Sequence, residues 1–403
     1  MRGRGILAAI IADDLTGAMD AAAPFARRGL DVQVLTTPVE ADSIVDLPQV
    51  LSVNTNTRHV SEETAAHIVS KVAADLRKLK PELLIKKIDS TLRGNVVAET
   101  LAAMQATGRG KVIVCPAIPS QGRTLLRGEL FIDSVPLRDS AIGRDLRSPP
   151  PLAPLQDLFR AAKPGLPVSI SSRNRDWESE DILKKQGIYI PDAKSNEQLL
   201  AIARSAREYR ANILFSGASG LTESLAEELY GVVNLVDTPP VIGGKALFVV
   251  GSLAPQAAAQ VETLTRQNSG VRVFKLTESP ADNRRALQHL AQSEEAFTSL
   301  VIRPPEVSDE STHDSDYIVK ALADCSAVFL KYARVGMLLA TGGDTAAALL
   351  ARLNLKVITI AGEVQPGVVH GLLNSPQGPL RLVTKAGGFG DDRLFCEILD
   401  YFN

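Results

Sequence analysis

The 403-residue sequence has few of the residues that build several common kinds of site. Its three cysteines, Cys115, Cys325 and Cys396, form no CxxC pair, which argues against a zinc site or a disulfide framework. Its five histidines include no HExxH motif, so we expect any metal to be a hard cation held by oxygen ligands. Aromatic residues make up only 4 % of the chain, which disfavours a surface for stacking nucleic-acid bases.

Charge and hydropathy argue against two further classes of protein. The sequence has 44 basic and 46 acidic residues and a net charge of −2, so its bulk charge does not favour nucleic-acid binding. No run approaches the roughly 20 apolar residues that cross a membrane. Asp13 and Asp14 interrupt the first apolar stretch too early for a signal peptide. The sequence therefore predicts a cytoplasmic protein that binds neither membranes nor nucleic acid.

Short β-rich runs alternate with alanine- and leucine-rich stretches along the chain. Several runs, such as Ile6–Ala12, Val50–Asn54 and Ala246–Val250, are continuously apolar, which is typical of strands buried on both faces. The alternation predicts an α/β fold of two domains, each a mainly parallel β-sheet flanked by helices, with an interdomain cleft.

Two stretches rich in proline or glycine suggest how the chain is divided. The stretch at 232–245 indicates the domain boundary, which gives a first domain of residues 1–235 and a second of residues 246–403. The proline-rich stretch at 148–167 is interpreted as a long surface connection within the first domain.

Charged side chains follow several predicted strands of the first domain. Ligands of open α/β sheets bind beyond the carboxyl ends of strands, so these positions are candidate sites. Asp13 and Asp14 follow the first strand, where a carboxylate can accept a proton or hold a cation, although one of them is also suited to cap the next helix. Arg58 could pair with a carboxylate ligand, but alone it is more typical of an exposed loop.

A denser cluster follows the strand predicted at Leu83–Ile88. The sequence there is Lys86-Lys87-Ile88-Asp89-Ser90-Thr91-Leu92-Arg93. Because so many charged residues lie at one strand end, we interpret this stretch as a site for an anionic ligand and not as a solvent-exposed surface. Alternation along a strand places Lys87 and Asp89 on the same face. In a further loop, Arg123 fits an anion contact and a surface position equally well.

The second domain has glycine-rich strand ends instead. They are Gly251-Ser252, Thr341-Gly342-Gly343-Asp344-Thr345, Gly362-Glu363 and Lys385-Ala386-Gly387-Gly388. Glycine lets the backbone approach a phosphate, and a following helix N-terminus favours negative charge. The chain has neither a Walker A motif nor GxGxxG. Four such strand ends in one domain nevertheless indicate a nucleotide-phosphate site, and with an anionic substrate in the other domain they suggest phosphoryl transfer.

Taken in order, these motifs resemble the four-carbon acid sugar kinase family over nearly the whole chain. The resemblance implies a substrate-binding N-terminal domain and an ATP-binding C-terminal domain, with phosphorylation of the terminal hydroxyl of a four-carbon sugar acid. The implied substrate contacts are Asp14, Arg58, Lys87, Ile88, Asp89 and Ser90. The implied ATP contacts are Ser252, Gly342, Gly343, Asp344, Thr345 and Gly388.

Members of this family differ in substrate. Those that act on 3-oxo-tetronate have a stretch richer in cysteine and phenylalanine where this chain has Ile85–Thr91. The chain is therefore more similar to the D-threonate and D-erythronate kinases, and D-threonate is the substrate we favour. The alternative to an enzyme is a non-catalytic sensor that binds a sugar acid and a nucleotide.

The acceptor side of the expected mechanism needs a base and a cation. Asp14, or alternatively Asp89, would take the proton of the terminal hydroxyl, and Asp13 would be a substrate-binding neighbour. The substrate carboxylate would pair with a basic residue of the first domain. The candidates are Arg58, Arg93 and Lys87, and Arg58 comes first because its planar fork suits a carboxylate.

The nucleotide side of the expected mechanism uses ATP and Mg²⁺. Asp344 or Glu363 would lie near the metal, directly or through water, and Lys385 would neutralise charge on the transferred group. A homodimer would be unsurprising for a metabolic enzyme, although no residue indicates one.

Overall fold

The computed structural model describes residues 6–38, 46–144, 149–171, 185–232, 239–293, 295–305 and 315–402. The chain divides into two units, Met1–Leu235 and Val236–Asn403. Each contains a sheet of mainly parallel strands with helices packed on it, so the predicted α/β class is confirmed. Across the described ranges, no helix combines the length and the apolar character needed to cross a membrane.

The first unit is built on a parallel sheet. Its described strands are β1 (Ala8–Ala12), β2 (Val32–Leu35), β3 (Val50–Asn54), β4 (Leu83–Lys87), β5 (Lys111–Cys115), β6 (Arg123–Leu126), β7 (Glu129–Ile132), β8 (Val135–Pro136), β9 (Val168–Ser171), β10 (Gly187–Pro191) and β11 (Ile213–Gly217). The parallel sheet has the order β2-β3-β1-β4-β11-β5-β10-β9, and β6, β7 and β8 form a separate antiparallel sheet. The helices are α1 (Leu15–Ala26), α2 (Glu62–Lys78), α3 (Val96–Thr107), α4 (Leu155–Ala162), α5 (Asn196–Ala206) and α6 (Ser219–Tyr230).

The second unit has a mixed sheet. Its described strands are β12 (Lys245–Val250), β13 (Val271–Lys275), β14 (Ser299–Arg303), β15 (Val335–Thr341), β16 (Val357–Gln365), β17 (Val368–Ser375) and β18 (Gly378–Lys385). They lie in the order β13-β14-β12-β15-β18-β17-β16, with parallel pairing from β13 to β18 and antiparallel pairing among β16, β17 and β18. The helices are α7 (Pro255–Gln267), α8 (Pro280–Gln292), α9 (Ser315–Tyr332), α10 (Gly343–Arg352) and α11 (Leu394–Phe402).

Burial explains why the apolar runs form strands. All five residues of β1, β3 and β11 are buried, as expected for central strands covered on both faces. In the second unit, α11 packs Leu394, Phe395 and Ile398 into a core that includes Phe248 of β12. The rings of Phe248 and Phe395 are 5.3 Å apart between centroids. The last helix therefore closes the core on one face of its sheet.

Two features were not indicated by the sequence pattern. Strands β16, β17 and β18 form long consecutive antiparallel hairpins within an otherwise parallel sheet. The proline-rich stretch, described from residue 149 onwards, contains helix α4 rather than surface connection alone. Pro154 precedes the helix, and Leu155 and Phe159, spaced by one turn, are buried beneath it.

An ion pair is buried beneath β4. Lys86 Nζ lies 2.7 Å from Glu99 Oε2 of α3, and the two side chains are 0 % and 1 % exposed. The same ammonium donates to the carbonyl oxygen of Lys87 at 2.6 Å. Removing one partner of such a pair leaves an uncompensated charge in the core.

We expect Glu99→Ala to lower the free energy of unfolding by about 3–5 kcal/mol, because Lys86 loses its buried counter-ion. Urea unfolding at neutral pH measures the change. The control is Asp75→Ala, which breaks the exposed Lys78–Asp75 pair and should cost less than about 1 kcal/mol. The double variant Lys86→Met/Glu99→Leu should recover much of the loss. Equal costs for the two single variants would contradict the prediction.

Candidate functional site

The ends of three neighbouring strands coincide at one edge of the first sheet. Ala12 of β1 is in register with Asn54 of β3 and with Lys87 of β4. The loops that follow these strands therefore begin side by side, and their charged residues meet. We call these residues the Asp–Arg cluster; its members are Asp13, Asp14, Arg58, Asp89 and Arg93.

Asp14 caps the helix that follows β1. Its backbone is extended, and its Oδ1 accepts a hydrogen bond of 2.9 Å from the Gly17 N–H, as an N-cap residue does. A Cβ at Gly17 would collide with this same oxygen. Glycine at this position therefore lets the helix begin directly against the carboxylate.

The loop that contains Arg58 is tied to its neighbours by the backbone. The Thr57 N–H donates to the carbonyl oxygen of Asp13 at 3.0 Å. Asn95 Nδ2 donates to the carbonyl oxygens of Thr57 and Val60 at 3.1 and 2.9 Å. These bonds hold the loop after β3 against the loops after β1 and β4 and aim Arg58 at the carboxylates.

The Arg58 guanidinium is shared by three carboxylates. Its Nε donates to Asp13 Oδ2 at 2.8 Å, and its Nη2 donates to Asp13 Oδ1 at 3.0 Å and to Asp14 Oδ1 at 2.9 Å. Asp89 Oδ2 lies 3.7 Å from Nη2. Despite burial, the three negative charges raise the pKa of Arg58 well above its usual value. The expected first partner of a substrate carboxylate is thus already occupied by carboxylates of the protein.

Asp89 is held by donors on both of its oxygens. Arg93 donates from Nη2 to Oδ2 at 2.7 Å and from Nε to Oδ1 at 3.2 Å, and the Thr91 N–H donates to Oδ1 at 2.8 Å. The Thr91 hydroxyl donates to Oδ1 as well. Although burial opposes it, the charges of Arg58 and Arg93 hold the pKa of Asp89 far below its usual range. A carboxylate with so little affinity for a proton is poorly suited to act as a base.

Asp14 has the opposite electrostatic environment. Burial, together with the charges of Asp13 and Asp89, raises its pKa despite the attraction of Arg58 and Lys87. For Asp13 the balance is reversed, because Arg58 holds its pKa below the usual value in spite of burial. Both described hydrogen bonds to Asp14 use Oδ1, and none of the described residues donates to Oδ2. Asp14 is therefore the carboxylate of the cluster best suited to take a proton.

The other predicted substrate-binding residues lie beside the cluster. Lys87 Nζ donates to the carbonyl oxygen of Ile88 at 3.2 Å and lies 3.9 Å from Asp20 Oδ2. Ser90 is buried, and its hydroxyl accepts a hydrogen bond from Arg123 Nη1. The sequence left the role of Arg123 open, and the structure brings it to the site from the start of β6.

A second set of loops follows three adjacent strands of the second unit. In register, Val250 of β12 pairs with Thr341 of β15, which pairs with Lys385 of β18. We call residues 251–254, 342–345 and 386–390 the glycine loops; they include the predicted ATP contacts Ser252, Gly342, Gly343, Asp344, Thr345 and Gly388. Helices α7 and α10 begin at two of these loops. The first turn of a helix has N–H groups that are not bonded within the helix, and it lies at the positive end of the helix dipole, which suits a phosphate.

Two buried side chains shape the loop at 386–390 from below. Lys385 Nζ donates to the carbonyl oxygens of residues 386, 387 and 389 at 2.9–3.1 Å. Gln260 Nε2 of α7 donates to the carbonyl oxygens of residues 389, 390 and 391 at 2.7–3.3 Å. Both side chains are fully buried. With its carbonyl groups held inward, the loop can offer N–H groups to an anion on its other side.

This geometry corrects the expected role of Lys385. The sequence suggested that its ammonium faces the transferred group, but its three donors are used by the backbone of its own loop. Burial lowers the pKa of Lys385 to about 8. Gln260 was missed altogether, since a glutamine within a helical pattern gives no signal of its own.

The two candidate metal residues differ in position. Asp344 is in the first turn of α10, within a glycine loop, whereas Glu363 is in β16, in the antiparallel part of the sheet. The described ranges contain no group of three or more histidine, cysteine, aspartate or glutamate residues that could hold a metal. Mg²⁺ is commonly held by one or two carboxylates together with nucleotide phosphates and water. The residues therefore fit an ion that is bound mainly by a nucleotide, with Asp344 nearby.

Comparisons with known proteins match nearly the whole chain. Residues 8–225 match the model of a sugar-binding N-terminal domain, and residues 247–395 match that of a nucleotide-binding C-terminal domain. The chain is 29 % identical to the D-threonate kinase of Salmonella typhimurium, with 97 % of each chain aligned. It is 31 % identical to the D-threonate kinase of Bordetella bronchiseptica, over 95 % of this chain and 94 % of that one. It is 27 % identical to a D-erythronate kinase of Heliobacterium modesticaldum, over 97 % and 96 %.

Solved structures share the fold. The Haemophilus influenzae protein HI1011 superposes with a TM-score of 0.75 at 21 % identity, over 98 % of this chain and all of that one. A Bordetella bronchiseptica protein with bound citrate, solved as a domain-swapped dimer, is 29 % identical, with a TM-score of 0.50 over 99 % and 98 % of the chains.

A methyl group at Gly388 tests whether the glycine loops bind a nucleotide. A Cβ there meets no atom closer than Ala254 Cβ at 3.9 Å, so Gly388→Ala fits the protein. We expect it to leave the melting temperature unchanged and to weaken ATP binding about tenfold or more, because the methyl group would face the phosphates. Isothermal titration calorimetry measures the affinity.

The neighbouring glycine provides a contrast. A Cβ at Gly387 would lie 2.6 Å from Ser252 Oγ, so Gly387→Ala should disturb the loops even without ligand and lower the melting temperature. An unchanged ATP affinity in Gly388→Ala would show that this loop does not approach the nucleotide.

Proposed function

The chain belongs to the four-carbon acid sugar kinase family and is a sugar-acid kinase, and from this premise we propose that it uses ATP to phosphorylate the terminal hydroxyl of D-threonate. The observation that most supports the acceptor site is the Asp–Arg cluster. One of its carboxylates, Asp14, has a raised pKa and an oxygen, Oδ2, to which none of the described residues donates a hydrogen bond.

The choice of D-threonate rests on similarity. Relatives named D-threonate kinase are 29–31 % identical to the chain, while those named D-erythronate kinase and 3-oxo-tetronate kinase are 27 % and 26 % identical. The difference is small, but it agrees with the stretch Ile85–Thr91, which lacks the cysteine and phenylalanine of the 3-oxo-tetronate type.

On the acceptor side, Asp14 is proposed to take the proton of the reacting hydroxyl through Oδ2. Oδ1 is bound by Gly17 and Arg58, which fixes the orientation of the carboxylate. Asp13 keeps Arg58 in place, and Asp89 keeps Arg93 in place. Phosphoryl transfer needs positioning and charge neutralisation above all, and a rigid network of ion pairs supplies both.

On the donor side, the N–H groups of the glycine loops are proposed to bind the nucleotide phosphates. The N-termini of α7 and α10 add favourable electrostatics. Mg²⁺, when bound with the nucleotide, would neutralise phosphate charge, and Asp344 is the residue proposed to lie beside it, directly or through water. Lys385 and Gln260 hold the loop in shape without touching the phosphates.

Asp14→Asn should lower kcat by about 10²–10⁴-fold, because an amide cannot accept the proton. ATP affinity should stay near the wild-type value. In the wild type, kcat/KM should fall as pH falls through the raised pKa of Asp14, because the base must be ionised. This acid limb should persist in Asp14→Glu and be absent from the residual activity of Asp14→Asn. Near-normal turnover of Asp14→Asn would exclude Asp14 as the base.

The substrate itself is tested by coupled ADP release with ATP and Mg²⁺. The acceptors are D-threonate, D-erythronate, L-threonate, 3-oxo-tetronate and several five- and six-carbon aldonates. We expect the highest kcat/KM with D-threonate. A higher value with D-erythronate or 3-oxo-tetronate would reassign the substrate within the family. ATP binding without turnover on any acid would favour a sensor.

A further inference from the structure

Resting on the proposed function, we propose that Arg123 binds the carboxylate of the sugar acid and makes the site specific for acids over neutral polyols of the same length. Arg123 is the first residue of β6, outside the parallel sheet that presents the Asp–Arg cluster. It therefore adds a group to the site that does not come from the strand ends of β1, β3 or β4.

The other cations near the cluster already have acidic partners. Arg58 is bound by Asp13 and Asp14, and Arg93 forms a fork with both oxygens of Asp89. Lys86 pairs with Glu99, and Lys87 lies between a carbonyl oxygen and Asp20. Arg123 differs, because no carboxylate of the described residues lies within ion-pair distance of it and its hydrogen bond goes to a neutral hydroxyl, that of Ser90.

The backbone holds Arg123 firmly in this position. Its carbonyl oxygen accepts from the Ile118 N–H at 2.8 Å, and its own N–H donates to the Ile118 carbonyl at 3.1 Å. Ile118 lies in the loop that follows β5, which pairs with β11, the neighbour of β4. The pair of bonds folds the start of β6 back towards the loop after β4, where Ser90 lies. The guanidinium is therefore built into the site and not on a free surface loop.

The electrostatics around Arg123 favour an added anion. Burial and the nearby charge of Arg93 lower its pKa, and the attraction of Asp89 only partly opposes them. A guanidinium in this setting gains from a carboxylate, which it can bind through two parallel hydrogen bonds. The Ser90 hydroxyl beside it can serve the hydroxyl next to the carboxylate of a sugar acid. Arg123 and Ser90 together thus match a 2-hydroxy carboxylate, while Asp14 serves the other end of the molecule.

The experiment compares an acid and a polyol in Arg123→Gln. Glutamine keeps a donor for Ser90 and removes the charge. Calorimetry without nucleotide measures the affinities for D-threonate and for threitol, which has the same chain length and no carboxylate. Steady-state kinetics gives KM and kcat. We expect the Kd and KM for D-threonate to rise about 10- to 100-fold, with little change in kcat, in the affinity for threitol or in the KM for ATP.

Two further variants make the result specific. Arg127→Gln removes an exposed arginine of the same hairpin and should leave all these values unchanged. Arg123→Lys keeps the charge without the fork and should retain part of the preference for the acid, which also covers the case in which the glutamine variant fails to fold.

The outcomes separate this inference from the proposed function. A wild-type affinity for D-threonate that survives in Arg123→Gln would overturn the inference and leave the kinase assignment intact. Equal losses for acid and polyol would also overturn it, because they would show that Arg123 acts through the fold. Binding of the acid that depends on Arg123 in a protein without turnover would overturn the proposed function alone. A wild type that binds no sugar acid would overturn both.

Discussion

One guanidinium shared by three carboxylates is the interaction on which the first site depends. Burying Asp13, Asp14 and Asp89 together would cost several kcal/mol for each charge without a cation among them. Arg58 is that cation, and its contacts require the loops after β1, β3 and β4 to meet at one point. Because those strands end in register, the sheet brings the loops together before any side chain interacts. The sheet thus sets the position of the site, and the ion pairs set its shape.

The second unit uses the backbone where the first uses charged side chains. Its glycine loops have N–H groups suited to a phosphate, but carbonyl oxygens that turn towards the interior must also find donors. Lys385 and Gln260 are those donors, with six hydrogen bonds between them. Lys385, which in the sequence looks like a ligand of the phosphate, is therefore needed under the loop to bind its carbonyl oxygens. Lys385 contributes to an anion site by fixing the conformation of the loop backbone. A contribution of this kind leaves no direct signature in the sequence.

The parts of the molecule that could be predicted follow from local pattern. Continuous apolar runs identified the central strands, and the rule that ligands bind at strand ends identified the loops that contain Asp14, Arg58 and Asp89. The hairpins β16–β18 and the sheet β6–β8 were missed, because antiparallel pairing depends on partners that periodicity does not name. The partners of the Lys385 and Arg123 side chains could not be predicted for the same reason. Each depends on which backbone atoms lie opposite the side chain in three dimensions.

Identical side chains in one cluster acquire different chemistry from their donors. Asp89 accepts hydrogen bonds from Thr91 and Arg93 on both oxygens, and with the charge of Arg58 they hold its pKa far below the usual range despite burial. Asp14 shares Arg58 with Asp13, receives its other bond from a neutral N–H, and is buried beside two negative charges. The same network that lowers one pKa thus raises another, because Arg93 donates to Asp89 while Asp13 and Asp14 must divide Arg58 between them. When aspartates in one cluster share the available cations unequally, the one with the weakest share has the highest pKa and can act as a base.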